Sequence, residues 1–548
     1  MTKSYNLLTE NWIPVRFTDD TIENIGIKSF FEKAETISDI ACDLPTMRFA
    51  IFRVLFAIFC RSIDEDMEEE SASLWKELWD SDSLPIEEIN TYLEEHHNRF
   101  DLLHPEYPFL QTPSLHTKSG EWKELDIIVA DSPGEGALYS QTDPRHPISF
   151  AEGARWLIHA TQFDYSGIKS GAVGDDRVKG GKGYPMGIGW CGWMGCTIIR
   201  GMNMKETLLL NYVPRSNDSS DYGETSDLPI WELPTPQAHK QDVLIATGQL
   251  SLIAWPQRRI RLRNNGSRFD GVLVCNGDPV DYLSQLSHET MTPWRFSKPQ
   301  SSKAKQDIYM PRSLDPGVAL WRGLQSLLPY DNRSATVKSV STPTTTVPAF
   351  LPPKTIEVVA QRIGTVLPRN FILNVEVSSM LYGTQSASFS EVVHDKLSFP
   401  GLLAVTSEEA LRSRALTAVD RAVNSINVLG DFAANVARSE TDSKEAPDNA
   451  RNRAKESAFS LVDPFFRSWL QKLSTDATKA EDQLAEWTAW LYHTLRNEAQ
   501  QISHNASPAA WHGRKKDDFN FTLGQSEAWF FSRLRKALPI RTERKETE

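Results

Sequence analysis

The sequence predicts an α+β fold, with a large, mixed and loop-rich N-terminal domain over residues 1–400 and a C-terminal four-helix bundle over residues 401–548. Two observations predict it. Short apolar runs alternate with glycines and prolines up to residue 400, and beyond residue 405 apolar residues recur three and four positions apart. A domain holds roughly 100–200 residues, so the chain has room for about two to four domains.

The N-terminal domain mixes predicted strands and helices. Residues 12–16 (WIPVR) predict a short strand, and the apolar residues within 47–63 predict a buried helix. From residue 121 to 400, glycine, proline and β-branched residues surround short apolar runs such as 271–275 (GVLVC). This composition is typical of a loop-rich region that contains strands.

The C-terminal region predicts four amphipathic helices joined by polar loops. Residues 406–409 (TSEE) match a capping box, in which side chains satisfy the free backbone N–H groups at a helix start. A polar stretch at 439–452 separates the first helix from three others, and four such helices in succession predict a bundle. The first helix has an apolar stripe at Leu411, Ala415, Val419, Ala422, Ile426, Leu429, Ala433 and Val436.

Composition limits the function and the compartment. The formal net charge of −13 counts against a stand-alone nucleic-acid-binding protein, but it leaves room for a subunit with a few basic contact sites. Five scattered cysteines form no disulfide pattern, which is typical of a reducing compartment. The N-terminus has no signal-peptide pattern, and the apolar run at 49–60 is too short to span a bilayer. We therefore expect a cytoplasmic protein that does not contact membranes.

Few residues indicate catalysis or metal binding. Cys191 and Cys196 are separated by four residues, but a structural zinc site needs four ligands and the chain has no second close pair of cysteines. His394 and Asp395 form a His-Asp pair of the kind used by metal-dependent phosphohydrolases, without an accompanying set of ligands. No phosphate-binding loop, nucleophile elbow or dinucleotide fingerprint occurs. We expect no catalytic residue, metal or cofactor, with a phosphohydrolase centred on His394 as the alternative.

A glycine-rich segment favours contact with an anionic backbone. Residues 167–189 contain eight glycines, interleaved with Lys169, Arg177, Lys179 and Lys182. Glycine lets a backbone approach a ligand with no Cβ in the way, and cations beside backbone N–H groups suit phosphates. A mobile surface loop is an equally good interpretation of the composition.

Alternating arginines favour a second anionic contact. Residues 259–263 (RIRLR) alternate strictly, so a strand places Arg259, Arg261 and Arg263 on one face. Three aligned guanidinium groups in an acidic chain suggest an anionic partner. The solvated face of an antiparallel sheet is the alternative.

Three short motifs occur in a fixed order. They are residues 6–16 (NLLTENWIPVR), residues 104–112 (HPEYPFLQT), and the pair formed by 200–201 (RG) and 208–211 (LLLN). Followed by a predicted C-terminal bundle, they resemble the CasA family, the large subunits of type I-E CRISPR surveillance complexes (Cascade). The resemblance covers nearly the whole chain and is weakest between residues 212 and 360.

The resemblance implies a binding protein rather than an enzyme. Base pairing with a guide RNA selects the target, while the protein recognises a short flanking motif, the PAM, in double-stranded target DNA. The implied role is to contact the minor groove, promote strand opening and R-loop formation, and recruit a separate helicase–nuclease. The implied partners are the target DNA, the 5′ handle of the guide RNA and the other Cascade subunits. A purely structural scaffold subunit is a further alternative.

The resemblance also assigns residues. The family's glycine loop corresponds to residues 166–171, and its glutamine wedge to residues 383–385 with Gln385 at the tip. Its lysine finger falls near Asn276, where no lysine is adjacent. Together with the three arginines, the predicted DNA-binding residues are Gly167, Ile168, Lys169, Ser170, Gly171, Asn276, Gly383, Thr384, Gln385, Arg259, Arg261 and Arg263. The loop for the guide-RNA handle corresponds to Ile128, Pro133, Gly134 and Gly136. The family's bundle contacts neighbouring subunits and the displaced strand, and the candidates for these contacts are Arg412, Arg414, Arg451, Arg453 and Lys455. Solvated helix faces are the alternative for most of them.

Overall fold

The chain divides into two compact units. The computed structural model describes residues 4–130, 147–214, 227–241, 246–283, 285–331, 334–516 and 519–539. The first unit comprises Met1–Gly317, Ala335–Val359 and Asn374–Lys396, and the second comprises Val318–Ser334, Ala360–Leu373 and Leu397–Glu548. The second unit therefore includes two segments that precede the predicted division at residue 400.

The strands are short in the first half of the chain and long near residue 390. They are Ile13–Phe17 (β1), Ile22–Ile25 (β2), Ile37–Ile40 (β3), Lys169–Ser170 (β4), Lys182–Gly183 (β5), Cys196–Arg200 (β6), Arg258–Asn264 (β7), Phe269–Asn276 (β8), Trp294–Phe296 (β9), Tyr309–Pro311 (β10), Thr336–Lys338 (β11), Thr346–Pro348 (β12), Phe350–Leu351 (β13), Ile372–Tyr382 (β14), Phe389–Pro400 (β15), Arg514–Lys516 (β16) and Phe519–Phe521 (β17).

The strands form several small sheets. The sheet orders are β2-β1-β3, β10-β9-β13, β11-β12, β15-β14-β6, β16-β17 and β5-β4-β8-β7. In the last of these, β7 and β8 are antiparallel, β4 is parallel to β8, and β4 and β5 are antiparallel. The predicted strands at residues 12–16 and 271–275 are confirmed as β1 and β8.

Among the described residues, the helices of the first unit are short or moderate except for one, and the second unit contains three long helices. They are Ile27–Glu32 (α1), Pro45–Asp80 (α2), Ile86–Glu95 (α3), Phe150–Phe163 (α4), Met204–Asn211 (α5), Gln249–Leu252 (α6), Lys298–Ala304 (α7), Lys354–Arg362 (α8), Glu409–Glu440 (α9), Ala446–Gln471 (α10), Ala477–His504 (α11), Pro508–His512 (α12) and Leu523–Ala537 (α13).

Helix α2 is central to the core of the first unit. Its residues 49–60 are buried, as the apolar run predicted, and it packs against α3, α4 and α5. The arginine within this run is accommodated because Arg53 forms a fully buried ion pair with Glu289, which also accepts a hydrogen bond from Trp190. None of the helices in the described part of the chain has the length and hydropathy that a bilayer crossing requires.

Helix α9 is the centre of the second unit and packs against α10, α11 and α13. All eight residues of its predicted apolar stripe are buried. The predicted α+β class with a C-terminal helical bundle is therefore confirmed. The polar stretch predicted between the first two helices, 439–452, is too long, because α10 already begins at Ala446. Pro447 lies in the first turn of α10, where a missing backbone N–H costs nothing.

The start of α9 is held by an arginine rather than by a capping box. The residue before the helix is Glu408, and its side chain caps no backbone N–H, so the predicted capping box is wrong. Instead Arg412 binds the carbonyl oxygens of Leu403, Val405 and Thr406. It also forms a buried ion pair with Asp331, at 3.0 Å. Arg412 is thus unavailable to a neighbouring subunit, contrary to the prediction.

We expect Arg412→Ala to lower the free energy of unfolding by about 3 kcal/mol or more, because it leaves the Asp331 carboxylate buried without a counter-charge. Denaturant titration of the full chain measures this. The matched control is Arg414→Ala, which removes a partly exposed pair with Glu481 and should cost less than about 1 kcal/mol. Equal losses in the two variants would contradict the assignment.

Candidate nucleic-acid interface

The tip of the β14–β15 hairpin presents the predicted wedge residue to solvent. The backbone N–H of Gly383 donates to the Ser388 carbonyl at 3.0 Å, and that of Ser386 donates to the Gly383 carbonyl at 2.9 Å. Gln385 and Ser386 have φ values of 56° and 54°, a left-handed conformation that L-residues seldom adopt. Thr384 and Gln385 are exposed. The tip is therefore a defined turn that carries an exposed amide.

The predicted glycine loop and the residues just before it, called the glycine segment below (residues 165–171), lie directly beside this tip. The Ser386 carbonyl accepts a hydrogen bond from the backbone N–H of Ser166 at 2.7 Å. The ring of Tyr165 packs edge-on against Phe389 of β15, with centroids 5.3 Å apart. Tyr382 of β14 donates from its hydroxyl to the Phe163 carbonyl at 2.6 Å. Two segments predicted separately as DNA contacts thus form one local structure.

Internal packing explains why two of the predicted residues are glycines. A Cβ at Gly167 would lie 2.6 Å from the Tyr165 ring, and one at Gly171 would lie 2.7 Å from the backbone of Gly181. Both glycines are buried. They permit close approach within the protein, so their glycine identity does not depend on a ligand.

Side-chain exposure alternates along the glycine segment, as expected for a strand. Ile168 is exposed, Lys169 is buried and Ser170 is half-buried. The Lys169 ammonium group lies 2.8 Å from the Asp164 carboxylate and 3.6 Å from the centre of the Tyr165 ring. Burial lowers the pKa of Lys169 to about 8, against the opposing effect of Asp164. The predicted contact between Lys169 and phosphates is therefore wrong for this conformation.

A buried ion network lies beneath the segment. Asp164 accepts from both Lys169 and Arg258, and each of the three side chains is less than 5% exposed. Arg258 also donates to the carbonyl oxygens of Tyr165, at 3.1 Å, and Gly187, at 2.7 Å. The network therefore fixes to β7 the backbone just before the glycine-rich segment, at Tyr165, and near the end of that segment, at Gly187.

The three alternating arginines lie on β7, but they do not form one exposed row. Arg259 is buried, pairs with Asp278 at 2.7 Å, and donates to the Pro256 carbonyl. It contributes to the core because residues around 237–239 and 278 cover this end of the strand. Arg261 is half-buried and donates to the Leu115 carbonyl at 3.0 Å, whereas Arg263 is exposed and pairs with Asp270 at 2.7 Å. Both guanidinium groups lie 5.6 Å from the Trp122 ring centre.

The other predicted contact residues are buried or undescribed. Asn276 ends β8, and its amide donates to the Tyr184 carbonyl at 2.7 Å, so it supports β5 and does not face a base edge. Ile128 is 1% exposed and follows the short 3-10 helix Leu125–Ile127. Pro133, Gly134 and Gly136 lie outside the described residues.

The two candidate metal or hydrolytic positions have structural partners. The thiol of Cys191 donates to the Gln162 side chain, and the thiol of Cys196 donates to the Cys191 carbonyl. His394 lies 3.0 Å from Glu376, beside the guanidinium of Arg48. Within the described ranges, no group of three or more His, Cys, Asp or Glu residues is arranged to hold a metal ion.

Sequence reasoning missed a hairpin next to the glycine segment. Lys179 and Lys182 exchange backbone hydrogen bonds of 3.1 Å across Gly180 and Gly181, whose φ values are 58° and 74°. These values define a type I′ turn, for which Gly-Gly is a favoured pair. The signal was present in the sequence as two adjacent glycines between lysines.

Comparison with known proteins places the chain among the CRISPR-associated proteins. The model of the family described as CRISPR-associated protein Cse1 matches residues 6–498. Since this match spans most of the chain, the protein belongs to the Cse1 family, also called CasA/Cse1, and the resemblance seen in its motifs is confirmed.

Individual relatives agree with this assignment. The CasA/Cse1 protein of Thermus thermophilus is 27% identical over 334 residues, which are 60% of this chain and 61% of that relative. The crystal structure of Thermobifida fusca Cse1 is 34% identical, with a TM-score of 0.87 over 98% of this chain and 99% of that chain. A chain of a CRISPR RNA-guided surveillance complex has the same fold, at 16% identity and a TM-score of 0.71 over 97% of this chain and 99% of its own.

The ion cluster around His394 predicts acid sensitivity. Burial raises the pKa of Glu376, but the hydrogen bond from His394 and the charges of Arg48, Arg200 and Lys396 outweigh it and hold the pKa at about 2, against an ordinary 4.5. The ionised form is therefore favoured by folding. Its contribution to stability is complete above pH 4.5 and is lost as the pH falls towards 2.

We expect Glu376→Gln to be less stable than the wild type at pH 7 by about 2–3 kcal/mol, and this difference should shrink as the pH falls below about 4.5. Denaturant titrations at pH 7, 4.5 and 3 measure it. Glu357→Gln, which removes an exposed pair with Lys354, is the control and should show little difference at any of these pH values. A constant difference for Glu376→Gln would refute the pKa assignment.

Proposed function

We propose that this chain is the large subunit of a type I-E CRISPR RNA-guided surveillance complex. In this role it recognises the PAM of double-stranded target DNA through the minor groove, promotes strand opening and R-loop formation, and recruits the helicase–nuclease. Membership of the Cse1 family supports the proposal, as does the occurrence of the same fold in a CRISPR RNA-guided surveillance complex. Its partners are the target duplex, the 5′ handle of the guide RNA and the other Cascade subunits, in the cytoplasm.

The observation that carries the DNA-binding part is the hydrogen bond between Ser166 and Ser386. It joins the glycine segment to the hairpin tip, so that one site can contact a groove and insert an amide beside it. Gln385 is exposed and lies on a defined turn, which suits insertion between base pairs. Separating a base step costs a few kcal/mol, which backbone contacts and RNA pairing must offset.

The charge distribution supports a subunit rather than a stand-alone DNA-binding protein. The net charge of −13 opposes binding of the isolated chain to DNA. Local cations near the surface, including Arg261 and Arg263, supply contacts to phosphates, while the net charge of the chain stays negative. Affinity for DNA then comes mainly from the assembled particle and from guide-RNA pairing.

The geometry favours binding over catalysis. His394 is engaged by Glu376, and the cations of Arg48, Arg200 and Lys396 surround that carboxylate. Because the Glu376 carboxylate is already shared by these cations, it is not available to hold a divalent metal ion beside His394. We therefore place cleavage in the recruited nuclease and not in this chain.

We expect Gln385→Ala to slow R-loop formation by the assembled complex about tenfold, because the variant has no amide to insert where the strands separate. A tenfold change in rate corresponds to about 1.4 kcal/mol in the barrier of the strand-opening step. Fluorescence of a base analogue next to the PAM measures opening. Binding to a target already unpaired beside the PAM should stay unchanged.

The control for this variant is Ser390→Ala, an exposed polar residue on the same hairpin. It should open the duplex at the wild-type rate. If Gln385→Ala also opened the duplex at that rate, the scaffold alternative would be favoured over the proposed wedge.

A further inference from the structure

The two residues that border the tip of the β14–β15 hairpin are both aromatic. Tyr382 ends β14, and Phe389 begins β15. The hydrogen bond from the Gly383 N–H to the Ser388 carbonyl pairs these two residues across the hairpin, so Tyr382 and Phe389 form the next cross-strand pair. Their ring centroids lie 6.0 Å apart, and the ring planes are tilted by 34°. The tip, residues 383–388, is therefore closed at its base by two packed aromatic rings.

This aromatic pair is attached to helix α4. The Tyr382 hydroxyl donates to the carbonyl of Phe163, the last residue of α4, at 2.6 Å. Burial raises the pKa of Tyr382 well above its usual value of 10, so the hydroxyl remains a donor at neutral pH. The Phe389 ring lies 6.3 Å from the ring of His159, which in turn stacks on Phe163. Because α4 packs against α2 in the core, the base of the tip is anchored to a buried part of the first unit.

Phe389 also connects the hairpin to the glycine segment. The Tyr165 ring meets the Phe389 ring edge-on, with centroids 5.3 Å apart and an interplanar angle of 84°. Half-buried Phe389 thus packs against rings from α4, from β14 and from the glycine segment. Removing this one side chain would loosen all of these contacts at the base of the tip.

The backbone of the tip requires such support. Gln385 and Ser386 have consecutive positive φ values of 56° and 54°. A left-handed conformation is unfavourable for residues that have a Cβ, and it persists only where the surrounding structure holds it. Thr384 and Gln385 are exposed, so their own side chains add little packing. The support therefore comes from the hydrogen bond between Ser166 and Ser386 and from the aromatic pair at the base.

We propose that Phe389 and Tyr382 are positioning residues for Gln385, which hold the tip in one conformation and affect strand opening only through that side chain. Neither residue binds DNA in this role. A tip that keeps one conformation loses little conformational entropy when its amide enters the duplex. The inference rests on the proposed function and adds the two residues on which the orientation of Gln385 depends.

Strand opening by the assembled complex is measured for Phe389→Ala with a fluorescent base analogue next to the PAM. We expect opening to slow about fivefold, because a tip with several conformations presents the amide correctly for only part of the time. Affinity for a target already unpaired beside the PAM should be unchanged. Tyr382→Phe keeps the ring and loses only the hydrogen bond to Phe163, so it should slow opening less, by about twofold to threefold.

Two controls separate positioning from general destabilisation. Phe389→Leu keeps a large apolar side chain and should be slowed less than Phe389→Ala. Val393→Ala removes a half-buried apolar side chain from the same strand, away from the tip. It should open the duplex at the wild-type rate even though its melting temperature falls.

The double variant Phe389→Ala/Gln385→Ala gives the decisive comparison. If Phe389 acts through Gln385, the double variant opens the duplex no more slowly than Gln385→Ala alone, because no amide remains to be positioned. Independent effects would multiply instead, to about fiftyfold, and would overturn the inference.

The outcomes separate this inference from the proposed function. If Gln385→Ala opens the duplex at the wild-type rate, the proposed wedge fails and the positioning role fails with it. If Gln385→Ala is slow while Phe389→Ala and Tyr382→Phe open the duplex at the wild-type rate, only the positioning role fails and the proposed function stands. If Phe389→Ala does not fold, Tyr382→Phe and its combination with Gln385→Ala decide the question by the same comparison.

Discussion

The buried carboxylate of Asp164 is the constraint on which the candidate interface depends. It pairs with both Lys169 and Arg258 where water is excluded, and a buried cation that loses its partner costs several kcal/mol. Because Arg258 also binds the carbonyl oxygens of Tyr165 and Gly187, the same charges position the backbone before and after residues 168–184. The positions of the exposed residues in this segment thus depend on a buried ion network.

This arrangement prepares the surface before any ligand binds. The β14–β15 tip and the paired strands β4 and β5 are each closed by backbone hydrogen bonds, and the hydrogen bond between Ser166 and Ser386 joins the tip to the segment before β4. A surface that is already ordered loses little conformational entropy on binding. Under the proposed function, more of the contact energy is then available to separate base pairs, and fixed local contacts offset a net charge of −13, whose overall field does not attract DNA.

The same side-chain type has different roles at positions that look alike in sequence. Arg259 and Arg263 belong to one alternating run, but Asp278 and nearby backbone cover the first, whereas the second stays near the surface. Arg412 and Arg414 lie on one predicted helix, yet only the former enters the core, opposite Asp331. Each difference in burial depends on a carboxylate or a chain segment that is remote in sequence. A local sequence pattern therefore could not predict it.

The sequence by itself determined the α+β class, the apolar stripe of α9, the buried run in α2 and membership of the Cse1 family, because periodicity and short motifs are local properties. The family resemblance of its motifs also named Gln385 as a candidate contact, whereas the exposure of that side chain was decided by the fold. Only the tertiary structure decided that residues 166 and 386 meet, that Lys169 faces inward and that Ile168 and Tyr184 face outward. Burial and pairing depend on which distant segments the fold brings together, and a charged group in the interior is stable only where that fold supplies its partner.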